Sequence, residues 1–455
     1  MRIGLEVHVQ LATRSKLFCN CPTDPAEPNR NICPICLGFP GVRPSPNEEA
    51  VLLAFKIAKA LNCKVLKRCF FSRKSYFYPD MPKNYQITQY EAPIGVDGWV
   101  DIGKKIRIRR VHLEEDPARL VHPGGIGKSD RVLIDYNRAG IPLVEIVTEP
   151  DFGDVEEVKG FFKKLLSILL HLRAFDPLKC SIRCDVNISL GDTRVEVKNV
   201  TGLKHIERAI RYEILRQEKL LKEGKEVKRE TRHFDEKTGL TTSLREKEFE
   251  DDYGYIFDPD LPIIEGIEVE IPELPDRMVE RFVEEYGLKE EKAKAIAYEG
   301  PDFASFFEEV VKDFGKPEVV ASWMLTHLLK CLNFNHMRLE DTSITPKEFV
   351  EFLRAMEEER ISERYAKEMI KEWVPSGKEV REFLKEMVSE EELRRAVEEV
   401  LREHRKAVED YKKGKKKALE FLIGQVLRRI GGRADVKEVR RLLEEAINFK
   451  TRGGR

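Results

Sequence analysis

The sequence has 455 residues, too many for one ordinary hydrophobic core, and its length sets an expectation of about three domains. Apolar residues make up 41% and aromatics 9%, enough for buried cores, while no uninterrupted apolar run approaches the roughly 20 residues that span a bilayer, which excludes a helical membrane protein. The formal net charge of −1 excludes a uniformly basic nucleic-acid binder, but 17 Lys and Arg face 8 Asp and Glu from Leu401 to Arg455, against 63 and 73 in the first 400 residues, so the tail alone is charged to meet phosphates.

The chain opens on Ile3-Gly4-Leu5-Glu6-Val7-His8, which alternates like a strand and lacks the charged head and continuous apolar stretch of a signal peptide, so a cytoplasmic protein is expected. The alternation puts Gly4, Glu6, His8 and Gln10 on one face and Ile3, Leu5, Val7, Val9 and Leu11 on the other. Cys19 and Cys21, then Cys33 and Cys36, follow with eleven residues between the pairs. Four thiolates gathered by two tight turns form the tetrahedral cage of a structural zinc site, and zinc would tie down a Pro-rich segment too polar to fold around a core. An iron–sulfur centre, or four unligated thiols in a reducing compartment, are the alternatives. The other five cysteines are scattered and expected to pack as small hydrophobes.

Ser45-Pro46-Asn47-Glu48 predicts a helix start with Ser45 as cap and Glu48 completing a capping box. The acidic run His112-Leu113-Glu114-Glu115-Asp116 comes next. Pro123 to Ser129 ends like a phosphate-binding loop, but His122 stands where the motif requires its first glycine and no buried strand leads in, so a turn is expected. Pro142 to Thr148 is a strand with Glu145 among Leu143, Val144, Ile146 and Val147, and a second clear helix is expected from about Asp154 to Arg173. Two further strands alternate polar residues, Arg183/Asp185/Asn187/Ser189 and Arg194/Glu196/Lys198. A solvated outer face explains such alternation on any one strand. Glu145 resists that explanation, because a carboxylate inside an apolar strand is costly unless paired or metal-bound, and a cation held in a cleft between strands is the expectation. For His8, spacing alone leaves both a ligand and a hydrogen-bonded structural role open.

After Pro272 apolar residues recur at helical spacing, with a capping box at Thr345-Pro346-Lys347-Glu348. The expected organisation is α+β: a mixed α/β domain over 1–265, an all-helical domain over 266–392 and a small helical module over 393–455.

Gly4-Leu5-Glu6-Val7-His8-Val9-Gln10-Leu11, the four-cysteine segment, Arg73-Lys74-Ser75-Tyr76-Phe77-Tyr78-Pro79-Asp80-Met81-Pro82-Lys83-Asn84-Tyr85-Gln86 and Asn137-Arg138-Ala139-Gly140-Ile141-Pro142-Leu143 together closely resemble the GatB family, the B subunits of bacterial aspartyl/glutamyl-tRNA amidotransferases. The resemblance continues through Arg183-Cys184-Asp185-Val186-Asn187 and Val195-Glu196-Val197-Lys198-Asn199 to Phe421-Leu422-Ile423-Gly424-Gln425-Val426. It implies a cradle-shaped catalytic domain, a helical domain and a YqeY-like tail. It also implies the reaction: ATP phosphorylates the side-chain carboxylate of glutamate or aspartate esterified to tRNA, and ammonia from the amidase (A) partner displaces the phosphate, with a small C partner completing the complex. A non-discriminating aminoacyl-tRNA synthetase is a further implied partner.

On that footing Glu6, His8, Glu114 or Glu115, and Glu145 are the expected magnesium-centred catalytic group, and Lys74 the cation facing phosphate, a plain surface lysine being the alternative. Tyr85, Gln86, Asp185 and Lys198 are the further nucleotide-binding candidates, with Asn187 and Glu196 beside them; turn and ion-pair roles explain Asp185, Asn187, Glu196 and Lys198 equally well. Lys412, Lys413, Lys415, Lys416, Lys417, Arg428, Arg429 and Arg433 are expected to meet tRNA phosphates, a solvated face being the plain alternative. The run Tyr253-Gly254-Tyr255-Ile256-Phe257-Asp258-Pro259-Asp260 departs from the family pattern, with Gly254 in place of an arginine, so no site residue is assigned there. Two rivals stand beside this reading: the archaeal-type GatE protein, which carries an inserted domain, and a zinc-containing tRNA-binding protein without catalysis. Carboxylates on strand faces discriminate against the second, because they repel phosphate.

Overall fold

A computed structural model describes residues 1–123, 130–246, 254–385 and 388–452, and the chain forms two compact units, Met1–Pro275 and Asp276–Arg455. Gly124 to Ser129, where the sequence sets an expectation of a turn, and Tyr253 lie outside the described residues.

The first unit is built on a nine-stranded sheet of β1 (Arg2–Gln10), β2 (Lys64–Val65), β3 (Gly95–Asp101), β4 (Lys105–Glu115), β5 (Pro142–Thr148), β6 (Ile182–Ser189), β7 (Val195–Thr201), β8 (Glu230–Asp235) and β9 (Leu240–Glu246). Their spatial order is β9-β8-β7-β6-β1-β5-β4-β3-β2, antiparallel except for the β7–β8 pair. The opening strand is therefore central. One face of the sheet is apolar: Ile3, Leu5, Val7 and Val9 are at most 1% exposed and share a core with Val144, Ile146, Cys184, Val186 and Ile188. Helices α1 (Glu48–Ala60), α2 (Val155–His171) and α3 (Leu203–Lys222) cover that face. The other face carries the polar residues of the same strands and stays open.

Two helix assignments differ from the sequence reading. The cap of α1 is Asn47, not Ser45, since the Asn47 side chain accepts from Ala50 N and also donates from Nδ2 to Ser15 Oγ at 2.9 Å. An amide does both at once, while Ser45 lies outside the helix with its N–H on Phe18 O. Helix α3 escaped the apolar pattern because its buried stripe ends in Glu213 and Gln217, both 0% exposed. They are satisfied by Arg216, 2.7 Å from Glu213, and by Leu190 N on Gln217 Oε1 at 3.1 Å. Helix α2 starts on Asp154, which accepts from Glu157 N at 2.8 Å, as the sequence predicts.

Two irregularities in the sheet aim the open face. In β4 the apolar residues run Ile106 and Ile108, then Val111 and Leu113, and a register shift against β5 around Arg109-Arg110 flips the alternation. The bulge turns His112 and Glu114 to the open face. Between β6 and β7 a second shift sets Lys198 and Asn199 both opposite Asp185, with Asn199 at φ 55°. A small sheet of Gly254–Phe257, Ser72–Ser75 and Tyr85–Thr88 adds Lys74 and Gln86, paired across strands.

The second unit is helical. One apolar cluster gathers around Phe307, Phe349, Phe352 and Trp373, and another around Val400, Leu422, Val426 and Leu443. The capping box at Thr345 forms as the sequence predicts, Thr345 and Glu348 each accepting the other's backbone N–H.

Candidate active site and a cysteine cluster

The open face of the sheet floors a cleft of about 800 Å³. His8 lies directly across from Glu145 on β5 and from Arg183 on β6, and Glu145 lies across from His112 on β4. This register draws His8 Nε2 to 3.3 Å from Glu145 and 3.5 Å from Glu114. His112 Nε2 stands 3.6 Å from Glu145, and its Nδ1 is buried with no hydrogen-bond partner among the described residues. Burial lowers His112 to about 4, against the opposing effect of Glu145. Burial alone would lower His8 too, but its hydrogen bond to Glu145 and the charges of Glu145 and Glu114 push it up to about 9. Burial, with the charge of Glu145 close by, pushes Glu114 up to about 7. Burial opposes ionisation of Glu145 as well, yet His112, His8 and Arg110 hold its carboxyl well below the usual range.

A second cluster adjoins the first. Glu6, Asp185 and Glu196 bring one carboxylate oxygen each within 4.8 Å of one another, as do the donors of His8, Glu114 and Glu145. Lys198 Nζ reaches Asp185 at 2.9 Å and Glu196 at 3.6 Å, and Asn199 N donates to Asp185 at 2.7 Å, the bulge supplying both donors. Burial raises Glu6, and Glu145, Asp185 and Glu196 raise it further. Crowded buried carboxylates of one sign are costly, and a divalent cation among them offsets the repulsion. Either donor set is oxygen-rich and suits a hard cation. Lys74 and Gln86 also line the cleft.

Not every expected residue is here. Glu115 follows Glu114, so alternation sends its side chain to the other side of β4. There it accepts from Lys83 Nζ at 2.6 Å and Ile87 N at 2.9 Å, two contacts that occupy its carboxylate away from the cleft. Tyr85 lies on the opposite side of its strand from Gln86, under Arg73 and beside a second cavity shared with Cys36 and Lys83. Asn187 donates to Glu6 at 3.1 Å. Asp116 and Arg183 in the cleft wall, with Arg138 bonded to Asp116, are not among the residues the sequence singles out, although Asp116 closes the acidic run and Arg183 shares a face with Asp185.

The four cysteines Cys19, Cys21, Cys33 and Cys36 converge with their sulfurs within 4.8 Å of one another and could hold a metal ion. Cys33 N donates to Cys36 Sγ at 3.2 Å, and Lys16 Nζ lies 3.6 Å from the same sulfur. Lys16 is 0% exposed. A buried ammonium requires an anion, and besides the Tyr136 carbonyl at 3.2 Å its partner is this sulfur. The Cys36 thiol is drawn down to about 4, first by its hydrogen bond with Cys19, with Lys16 adding to the effect. A thiolate cage beside a buried cation is the donor chemistry a tetrahedral metal takes.

Residues 1–271 match the family described as the GatB/GatE catalytic domain, and residues 305–447 match the GatB domain. This chain belongs to the GatB/GatE family. It is 43% identical to the B subunit of the aspartyl/glutamyl-tRNA(Asn/Gln) amidotransferase of Thermotoga maritima, with 98% of each chain covered. It is 44% identical to the protein of that name from Methanopyrus kandleri, over 98% of this chain and 99% of that one, and 41% identical to that from Brevibacillus brevis, over 98% of each. Within the GatB/GatE catalytic region lie both carboxylate clusters, Lys74 and the cysteine group. No helix of the described residues is long and apolar enough to cross a membrane.

The eight basic tail residues are all exposed or half-exposed. Lys415, Lys416 and Lys417 crowd the start of helix Lys416–Arg429, where the helix dipole disfavours cations. Arg429 at the other end is engaged by Glu399 at 3.1 Å and Glu403 at 2.8 Å.

Proposed function

We propose that this chain is the B subunit of a tRNA-dependent amidotransferase and that its cleft phosphorylates the side-chain carboxylate of a misacylated tRNA at the expense of ATP. The observation that carries the reading is the pair of carboxylate clusters, His8/Glu114/Glu145 and Glu6/Asp185/Glu196, in one cleft with Lys74. A carboxylate at neutral pH is a poor electrophile. Its oxygen attacks the γ-phosphorus of ATP and ADP departs; ammonia then attacks the acyl carbon, phosphate leaves, and a proton is lost. Magnesium held by these clusters would offset negative charge during the transfer.

The chain's own residues supply the rest. Lys74 directs its ammonium at the phosphates, and Gln86, whose Nε2 is fixed on Glu115 O at 2.7 Å, shapes the wall beside it. Lys198, held charged by Asp185 and Glu196 against the effect of burial, orients the second cluster. The cysteine group takes a structural zinc ion, with the buried Lys16 offsetting its thiolates. The amidase (A) partner supplies ammonia and a small C partner completes the assembly, with a non-discriminating synthetase upstream. Mutual coverage of 98% with a relative named as the B subunit favours this reading over a GatE protein. The buried carboxylates favour it over a passive tRNA binder. Glutamyl-tRNA converted to glutaminyl-tRNA by the purified complex, read by chromatography of the released amino acid, supports the reading, and no conversion with any misacylated tRNA refutes it.

Residues 393–455, with their own apolar cluster, form the third part of the 1–265, 266–392 and 393–455 division and the tRNA-binding module. Lys415, Lys416 and Lys417 meet phosphates, because tRNA anions relieve their clash with the dipole of the helix they begin; Lys412 and Lys413 at the end of the preceding helix, with Arg428 and Arg433, extend the same surface, while Arg429 is spent on its glutamates. Reversing Lys415, Lys416 and Lys417 to Glu should weaken tRNA binding by roughly tenfold or more at low salt and flatten the slope of affinity against salt. Filter binding across a salt series tests this; an unchanged slope counts against the module.

A further inference from the structure

The acidic clusters leave a chemical question, because the substrate's own side chain is an anion and must be seated in a cleft walled by carboxylates. We infer that Arg183, positioned by Asp116 and Arg138, binds that carboxylate before phosphorylation, an inference that rests on the amidotransferase reading of the cleft. Arg183 projects from β6 opposite His8 and lines the cleft, with 16% of its side chain exposed. Its Nη2 donates to Asp116 Oδ2 at 2.7 Å. Asp116 is itself gripped by Arg138, whose Nε and Nη2 reach the two carboxylate oxygens at 2.5 and 2.9 Å. Two guanidinium groups on one carboxylate leave the trio with an excess positive charge.

Among the described residues, Asp116 is the one acceptor Arg183 has. Its other N–H groups are left for something in the cleft. A guanidinium is weakly hydrated and planar, and its fork matches a carboxylate, so a partly buried Arg with spare donors suits this ligand better than an ammonium would. The neighbouring cation Lys198 is already engaged by Asp185 and Glu196. Pro117 and Leu143, which line the cleft beside Asp116 and Glu145, offer apolar surface to the methylenes of the glutamyl chain. His8 and Glu114 are close enough for their charges to be felt at Asp116 or to feel its own, so an anion on Arg183 lies next to the first cluster, where the phosphoryl group must be received. A phosphoryl oxygen of ATP shares this chemistry, and the test separates the two.

In the complete complex, Arg183→Ala should raise the KM for glutamyl-tRNA in ATP cleavage by roughly 10- to 100-fold, the range for one charged hydrogen-bonded contact. The KM for ATP and the inhibition constant of uncharged tRNA, which lacks the carboxylate, should stay where they are. Guanidinium ion added to Arg183→Ala should restore part of the loss, and Arg183→Lys should fall between, since it keeps charge without the fork. A KM for ATP that rises instead assigns Arg183 to phosphate and overturns the inference. So does an uncharged-tRNA inhibition constant that moves in step with the substrate KM, the signature of structural damage, or an Arg183→Lys enzyme with wild-type KM. Wild-type complex that cleaves no ATP in response to charged tRNA refutes the amidotransferase reading itself, and the inference with it.

Discussion

Replacing Glu145 by Gln slows transamidation on the order of 10²- to 10³-fold while the protein stays folded, the size of effect seen when one charge-stabilising group is lost from an active site. Glu145 is the carboxylate on which both histidines converge, 3.3 Å from His8 and 3.6 Å from His112, with Arg110 at 3.8 Å. Glutamine keeps the shape and one acceptor oxygen, so the β5 core residues Val144 and Ile146 are undisturbed. What is lost is the charge. With it goes the principal partner that holds His8 at about 9, and Glu114, raised to about 7 first by burial and then by Glu145, loses the second of those causes. The variant should therefore need more magnesium for half-maximal rate, and its far-ultraviolet circular dichroism should match the wild type. Full activity at ordinary magnesium would remove Glu145 from the reaction.

The second large effect is on stability. Cys36→Ser should abolish stoichiometric zinc and lower the first calorimetric transition by about 10 °C, from the roughly 3–5 kcal/mol cost of a buried charge stripped of its partner. The charge is Lys16, 0% exposed and 3.6 Å from Cys36 Sγ. If that is the cause, Lys16→Met in the Cys36→Ser background recovers part of the loss, a coupling that independent sites would not give. Metal analysis and calorimetry of the single and double variants decide it. A Cys36→Ser protein that melts with the wild type would leave the cysteines without a structural role.

Much of this site is legible in the sequence, for local reasons. The alternation of β1 alone assigns Glu6 and His8 to the face opposite Ile3 to Val9, and a carboxylate in the apolar Pro142–Thr148 run needs a partner wherever the strand goes. What is not legible depends on pairing between distant segments. Glu114 and Glu115 look equivalent until strand parity is fixed, and parity in β4 is reset by the bulge at Arg109-Arg110, whose visible trace is the doubled arginine breaking the Ile106/Ile108 alternation. Tyr85 and Gln86 divide between two cavities for the same reason. The Asp116, Arg138 and Arg183 group is assembled from three segments, and no spacing rule reports it. Helix α3 hides from the apolar pattern because buried Glu213 and Gln217 make its inner stripe polar.

The central claim, that this cleft activates a carboxylate with ATP, is tested most directly by one measurement. The chain is purified with its A and C partners, and radiolabelled ATP hydrolysis is followed with magnesium and glutamyl-tRNA but no ammonia donor. The account predicts ATP cleavage that requires the charged tRNA and disappears in Glu6→Gln and His8→Ala. Tight tRNA binding with no ATP cleavage under any charged tRNA would contradict it and leave a binding module in its place.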